Sequence, residues 1–121
     1  MAAIVIIDEN KLMRELLAEW LRAEGYRVRT RDDLARIGDS PDLVIVDLYR
    51  PRHEGCTRMR SVQSAFPRVP IIAISAQFQS SLAANDTAAR ALGARRVVAK
   101  PFDRADLVRA VRAVIGAPQA V

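Results

Sequence analysis

Residues 43–47 read Leu43-Val44-Ile45-Val46-Asp47, an unbroken apolar run that ends in a carboxylate. A short run of this kind predicts a strand that is buried on both faces, as in parallel sheets. The chain repeats the pattern on either side of this segment. Buried strands are therefore also predicted at Ala3–Ile7, Pro70–Ile74 and Arg96–Ala99.

The segment Lys11–Glu24 has the pattern of an amphipathic helix. Its apolar residues recur at helical spacing, and Gly25 ends the pattern. Tyr26–Arg31 then alternates apolar and basic residues, which is typical of an edge strand. The predicted helical stripe consists of Met13, Leu16, Leu17, Trp20 and Leu21.

Helical patterns also separate the remaining strands. Asp103 is suited to cap the last helix, which Gly116 stops after Ile115. Five strand–helix units in strict alternation imply a parallel sheet with right-handed crossovers and helices on both faces. We expect a single α/β domain over residues 1–121. The other predicted helices are Asp32–Gly38 (short at best), Cys56–Phe66 and Ser81–Leu92.

Length and composition narrow the class of protein. The chain has 121 residues, half of them apolar, which suffices for one buried core. Its longest apolar run, residues 1–7, is too short for a membrane span or a signal-peptide core. The single cysteine, Cys56, cannot form an internal disulfide, which suits a reducing compartment. We therefore expect a soluble, cytoplasmic protein that does not associate with membranes.

The formal charge of +5 raises the question of an anionic partner. The arginines are scattered along the chain and rarely stand beside aromatic residues. No helix-turn-helix, zinc-finger spacing or aromatic-rich sheet motif is visible. We expect no direct binding of nucleic acid, and solvated helix faces are the favoured interpretation. A basic surface for a partner is the alternative.

Polar residues follow four of the predicted strands. Asp8 and Glu9 come after the first, Asp47 after the third, Ser75 after the fourth and Lys100 after the fifth. In an open α/β sheet the ligand site lies beyond the carboxyl ends of the strands, near the switch in strand order. We expect these side chains to converge there from distant parts of the chain.

The residue types at this edge suit phosphoryl chemistry. A carboxylate can attack phosphorus and form an acyl phosphate. Crowded carboxylates favour a hard divalent cation such as Mg²⁺, which also offsets phosphoryl charge. Lys100 supplies a compact positive charge to a phosphoryl oxygen, and the Ser75 hydroxyl can donate a hydrogen bond to another.

Four segments in this order resemble the response-regulator receiver family of two-component signalling, within the CheY-like superfamily. Each segment stands at the strand end where the family carries its motif, and together they cover nearly the whole chain. The segments are Ile4–Glu9, Asp42–Asp47 with Pro51 and Gly55, Pro70–Ala76, and Leu92–Ala94 leading to Lys100–Phe102.

The resemblance implies a flavodoxin-like (βα)5 doubly wound parallel sheet with strand order 2-1-3-4-5. It implies phosphorylation of Asp47 by a histidine kinase or a histidine phosphotransfer protein, and a cis bond between Lys100 and Pro101. A downstream protein partner or a separate output domain would read the signal, and a homodimer is one predicted assembly. The implied Mg²⁺ ligands are Asp8, Glu9, Asp47 and the backbone carbonyl of Tyr49.

The sequence departs from the family pattern in three places. Glu9 stands where a second Asp is common, and Val97 stands where an aromatic residue usually precedes the lysine. The polar loop Gln77–Ser81, with Phe78 in its middle, also looks long. Since the aromatic residue normally moves with the hydroxyl residue, the chain must report phosphorylation in another way.

Two alternative functions were weighed. A phosphatase of the haloacid dehalogenase type would need a second Asp as general acid two residues after Asp47, where this chain has Tyr49. A degenerate receiver that binds a partner without phosphorylation is the stronger alternative, because of Glu9 and Val97. The lone His53 is expected in an exposed loop, and we expect no catalytic role for it or for Cys56.

Overall fold

Five strands form one parallel sheet in the computed structural model of this chain, which describes residues 3–31, 41–48, 52–75, 89–90 and 93–118. The sheet has the order β2-β1-β3-β4-β5, and every neighbouring pair is parallel. The predicted flavodoxin-like order 2-1-3-4-5 is therefore confirmed. The strands are β1 (Ala3–Ile7), β2 (Arg27–Arg31), β3 (Leu43–Asp47), β4 (Ile71–Ser75) and β5 (Arg96–Ala99).

Within the described ranges, the longer helices that cover the two faces of this sheet are α1 (Lys11–Ala23), α2 (Arg52–Ala65) and α3 (Arg104–Ile115). Successive residues of β1 point to opposite faces, as strand geometry requires. Ile4 and Ile6 pack in one apolar cluster with α1 and α3, and Val5 and Ile7 pack in the other with α2. Each fully buried Ile or Leu contributes about 1.5–3 kcal/mol by leaving water.

The apolar stripe of α1 is narrower than predicted. Leu17 and Leu21 are fully buried, whereas Leu16 is 38% exposed and Leu12 is 80% exposed. Leu16 precedes Leu17 by one residue, which turns it about 100° around the helix and away from the sheet. Its assignment to the stripe was wrong.

The start of α2 was also predicted wrongly. The helix begins at Arg52, four residues before the predicted Cys56, so that His53 lies in a helix and not in a loop. Glycine within a helix costs about 1 kcal/mol relative to alanine, so Gly55 is locally unfavourable in α2. Buried Met59 and Val62 anchor the helix on the sheet and outweigh that local preference.

The bounds of α3 are those predicted. Asp103 and Asp106 form a capping box, in which each side chain accepts a hydrogen bond from the other residue's backbone N–H. Gly116 ends the helix with φ of 77°. The predicted helix Asp32–Gly38 lies outside the described residues, and so does Ser81–Leu92 except for helical residues 89–90.

The bounds of β1 to β5 agree with the predicted strand bounds to within one residue, which is the usual uncertainty at the end of an element. Across the described ranges, no helix is long and apolar enough to cross a membrane.

Candidate functional site

The carboxyl ends of four strands carry the predicted site residues. Asp8 directly follows β1, Asp47 and Ser75 are the last residues of β3 and β4, and Lys100 follows β5. Backbone hydrogen bonds extend beyond the strand ends and hold this edge together. The amide of Leu48 donates to Ile74 O at 2.7 Å, and the amide of Lys100 donates to Ser75 O at 3.2 Å. These bonds fix the relative positions of the strand ends.

Asp47 and Lys100 form the central ion pair. Lys100 Nζ donates to Asp47 Oδ2 at 2.6 Å, and the Asp47 side chain is only 3% exposed. A short charge-assisted bond of this kind, with low solvent access, is stronger than a surface ion pair. The second oxygen, Asp47 Oδ1, is buried and has no hydrogen-bond partner among the described residues. The pair therefore leaves one carboxylate oxygen uncommitted.

Asp8 is the second buried carboxylate. Its Oδ1 accepts a hydrogen bond from the Asn10 amide at 2.8 Å, and its backbone carbonyl accepts one from Arg14 Nη1 at 2.7 Å. Asp8 Oδ2 is buried and has no hydrogen-bond partner in the described part of the chain. Burial, followed by the nearby charge of Asp47, raises the pKa of Asp8 to about 6 although the Asn10 bond and Lys100 oppose the shift.

These two carboxylates fit a small divalent cation. Each presents one buried, unpartnered oxygen, and hard cations such as Mg²⁺ take oxygen ligands and retain several waters. Bound positive charge would relieve the desolvation of Asp8 and its repulsion by Asp47. Within the described ranges, no third His, Cys, Asp or Glu joins them to complete a metal-binding group. Tyr49, the predicted carbonyl ligand, lies outside those ranges.

Glu9 stands apart from the buried pair. Its side chain is half-exposed, and Glu9 Oε1 lies 3.9 Å from Arg58 Nη1 on α2. At this distance the two groups attract each other without forming a hydrogen bond. Metal binding by Glu9 stays a prediction.

Two neighbouring features complete the edge. The Ser75 side chain is buried at the end of β4, and the peptide bond between Lys100 and Pro101 is cis, as the resemblance implied. Val97 is buried in the apolar cluster of α2. The loop Gln77–Ser81 lies outside the described residues.

Sequence reasoning missed three residues near the site. Asn10 caps α1 through a bond from the Met13 amide at 3.1 Å, and it also anchors Asp8. An Asn directly before a helical stripe was a recognisable signal. Arg14 and Arg58 gave no such signal, because their contacts depend on where the helices dock.

Known proteins share this architecture. The family model described as the response regulator receiver domain matches residues 4–112. The chain is 32% identical over 120 residues to the transcriptional regulatory protein PdtaR of Mycobacterium tuberculosis, which covers 93% of this chain and 56% of that protein. The chain spans about half the length of the first curated relatives it matches.

Two solved structures are also similar. A response regulator receiver protein from Burkholderia phymatum is 26% identical with a TM-score of 0.73, and the alignment covers 100% of both chains. The chemotaxis protein CheY4 of Vibrio cholerae is 25% identical with a TM-score of 0.74, covering 94% of this chain and 98% of that one.

Proposed function

This chain belongs to the response-regulator receiver family, and on that premise we propose that Asp47 accepts a phosphoryl group from a histidine kinase or a histidine phosphotransfer protein. The observation that supports the proposal best is the buried Asp47–Lys100 pair, with Asp47 Oδ1 left unpartnered. A nucleophilic carboxylate needs an oxygen that no other group occupies. Asp47 is the acidic residue that combines such an oxygen with a neighbouring cation.

The transfer is a displacement at phosphorus. An oxygen of Asp47 forms a bond to phosphorus as the bond between phosphorus and the donor's imidazole nitrogen breaks. The nitrogen keeps the electron pair and takes up a proton, and Asp47 becomes an acyl phosphate. Lys100, already aimed at Asp47, stabilises the negative charge on the phosphoryl oxygens.

Two further groups support this step. The Ser75 hydroxyl, buried at the end of the neighbouring strand, donates a hydrogen bond to a phosphoryl oxygen. Asp8 and Asp47 would hold a Mg²⁺ ion, with Glu9 and the Tyr49 carbonyl as further proposed ligands. When bound, the cation supplies positive charge beside the transferred group.

The effect of phosphorylation on signalling is also part of the proposal. We propose that phosphorylation changes binding to a downstream protein or to an output domain beyond the receiver. Transcriptional regulation is stated for PdtaR, and this chain covers 56% of that protein. A cytoplasmic location likewise remains a proposal.

Intact-mass spectrometry tests the acceptor. Incubation with phosphoramidate and Mg²⁺ should add one phosphoryl group to the wild type and none to Asp47→Asn. Asp42→Asn is the matched control, because Asp42 precedes the same strand at its opposite end and its amide oxygen can still accept from the Ala3 amide. Undiminished labelling of Asp47→Asn refutes the assignment. An unlabelled wild type favours the degenerate receiver.

A further inference from the structure

The described arginines differ in whether an acidic side chain pairs with them. On the face of the sheet that carries α1 and α3, Arg104 and Arg112 both bond to Glu24, at 2.7 and 2.9 Å. Arg68, Arg90 and Arg95 are different. All are exposed, and within the described ranges none of the three forms an ion pair or a side-chain hydrogen bond.

These three arginines line one cleft at the amino-terminal edge of the sheet. The cleft has a volume of about 560 Å³ and lies between the turn before β4 and the turn before β5. Arg68 belongs to the first turn and Arg95 to the second, with Arg90 on the short helical segment beside it. Among the described residues that line the cleft, none is acidic and none is aromatic.

The backbone around the cleft is firmly held. The Arg95 amide donates to Ile71 O at 2.8 Å, which ties the second turn to the start of β4. Gly93 adopts a φ of 78°, and Gln63 Nε2 donates to its carbonyl at 3.3 Å. A side chain at position 93 would meet the end of the Gln63 side chain. These bonds hold the backbone of the second turn in place beside β4.

The charges and the floor of the cleft indicate the class of ligand. Three guanidinium groups with no acidic partner repel one another, and an anion between them removes that repulsion. The planar guanidinium matches phosphate oxygens in a two-bond geometry. Buried Ile71 and Ala89 provide an apolar floor. The volume of about 560 Å³ lies within the range of about 300–1,000 Å³ that is typical of small-molecule sites.

We propose that this cleft binds a phosphate-bearing small molecule of the size of a nucleoside diphosphate. A single-stranded nucleic acid fits less well. Such polymers are bound along extended basic grooves with aromatic stacking platforms, whereas these arginines converge on one cleft that lacks aromatic side chains in its described lining. The cleft is at the opposite end of the strands from Asp47, so the proposal is independent of phosphoryl acceptance.

Isothermal titration calorimetry with ADP in Mg²⁺-free buffer of low salt tests the site. The titration uses the whole chain with Asp47→Asn, so that the other edge of the sheet does not contribute. We expect saturable one-to-one binding that weakens about tenfold or more in Arg90→Gln/Arg95→Gln, because bonds to charged groups are lost. The amide resonances of Gly93 and Arg95 should shift on titration.

The matched control is Arg60→Gln/Arg109→Gln, which removes the same charge from exposed positions outside the cleft. It should retain most of the affinity. Equal weakening in both double variants would mean that net charge alone attracts ADP, and the proposal fails. It fails equally if millimolar ADP produces no saturable heat, or if a short single-stranded RNA binds more tightly than ADP through the same arginines.

Discussion

Asp8 and Asp47 are both buried aspartates at strand ends, yet their surroundings differ. Asp47 is compensated by Lys100 at 2.6 Å, whereas Asp8 relies chiefly on the backbone amide of Asn10. Removing a carboxylate from water is costly unless an opposite charge compensates it. Asp8 is therefore the residue that gains most from a bound cation.

A thermal melt with and without Mg²⁺ checks this difference at neutral pH. We expect Mg²⁺ to raise the melting temperature of the wild type, because a ligand that binds only the folded state stabilises it. Asp8→Asn should raise the Mg²⁺-free melting temperature, since a buried charge is lost while the amide oxygen can still accept from Asn10. It should also remove most of the Mg²⁺-induced rise.

Asp103→Asn is the control for this experiment, because asparagine is an equally good helix cap and the residue lies at the surface. It should keep the full response to Mg²⁺. A wild-type melting temperature that is unchanged across millimolar Mg²⁺ would contradict the metal site.

At the scale of the element, α1 shows how one helix presents the same residue type to two environments. Leu21 is fully buried against the sheet, and Leu12 is 80% exposed near the start of the helix. Both positions are helical, so helix propensity contributes equally to substitutions at the two sites. Any difference in stability then reports burial alone.

Urea unfolding of Leu21→Ala and Leu12→Ala measures that difference. Leu21→Ala should lower the free energy of unfolding by about 2–5 kcal/mol, through lost burial and the cavity that it leaves. Leu12→Ala should change it by about 0.5 kcal/mol or less, as is usual for exposed sites. A comparable loss at Leu12 would show that a second molecule covers this residue, as in the predicted homodimer.

At the scale of the whole molecule, the end of α1 is joined to α3 across most of the chain. Glu24 caps α1 and accepts hydrogen bonds from Arg104 and Arg112, which lie 80 and 88 residues away in sequence. A carboxylate near a helix C-terminus is locally unfavourable because of the helix dipole. The two guanidinium groups reverse that effect, and the Tyr26 hydroxyl adds a bond to Gly116 O at 2.7 Å.

The dependence of stability on pH tests the Glu24 cluster. The hydrogen bond from Arg104 lowers the pKa of Glu24 below its usual value of 4.5. The cluster's contribution is therefore present above pH 4.5 and is lost as the pH falls through the folded-state pKa. At low ionic strength, Glu24→Gln should melt below the wild type at neutral pH, and the gap should close under acid conditions. Glu19→Gln, on the exposed face of the same helix, should show no such gap.

A gap between wild type and Glu24→Gln that stays constant from neutral to acid pH would rule out the ionic origin. If Glu19→Gln lowered the melting temperature as much as Glu24→Gln, loss of any negative charge on α1 would have this effect, and the bridge to α3 would not be its cause.

Local sequence patterns predicted the strands, the bounds of α3 and the polar residues at one edge of the sheet. These features depend on local patterns: an apolar run buries a strand on both faces, Asp103 and Gly116 mark helix ends, and register follows from the alternation of side chains. The convergence of Asp47 and Lys100 followed as well, because parallel strands end at the same edge.

The partners of side chains away from the strand ends depended instead on how the helices and turns dock. Leu16 is exposed because helix docking fixes which arc of α1 faces the sheet, and Glu9 lies near Arg58 because of where α2 docks. Arg68 and Arg95 line the same cleft although the two turns that carry them are far apart in the sequence. Contacts of this kind depend on the positions of groups far apart in the chain, and local residue patterns carry no information about those positions.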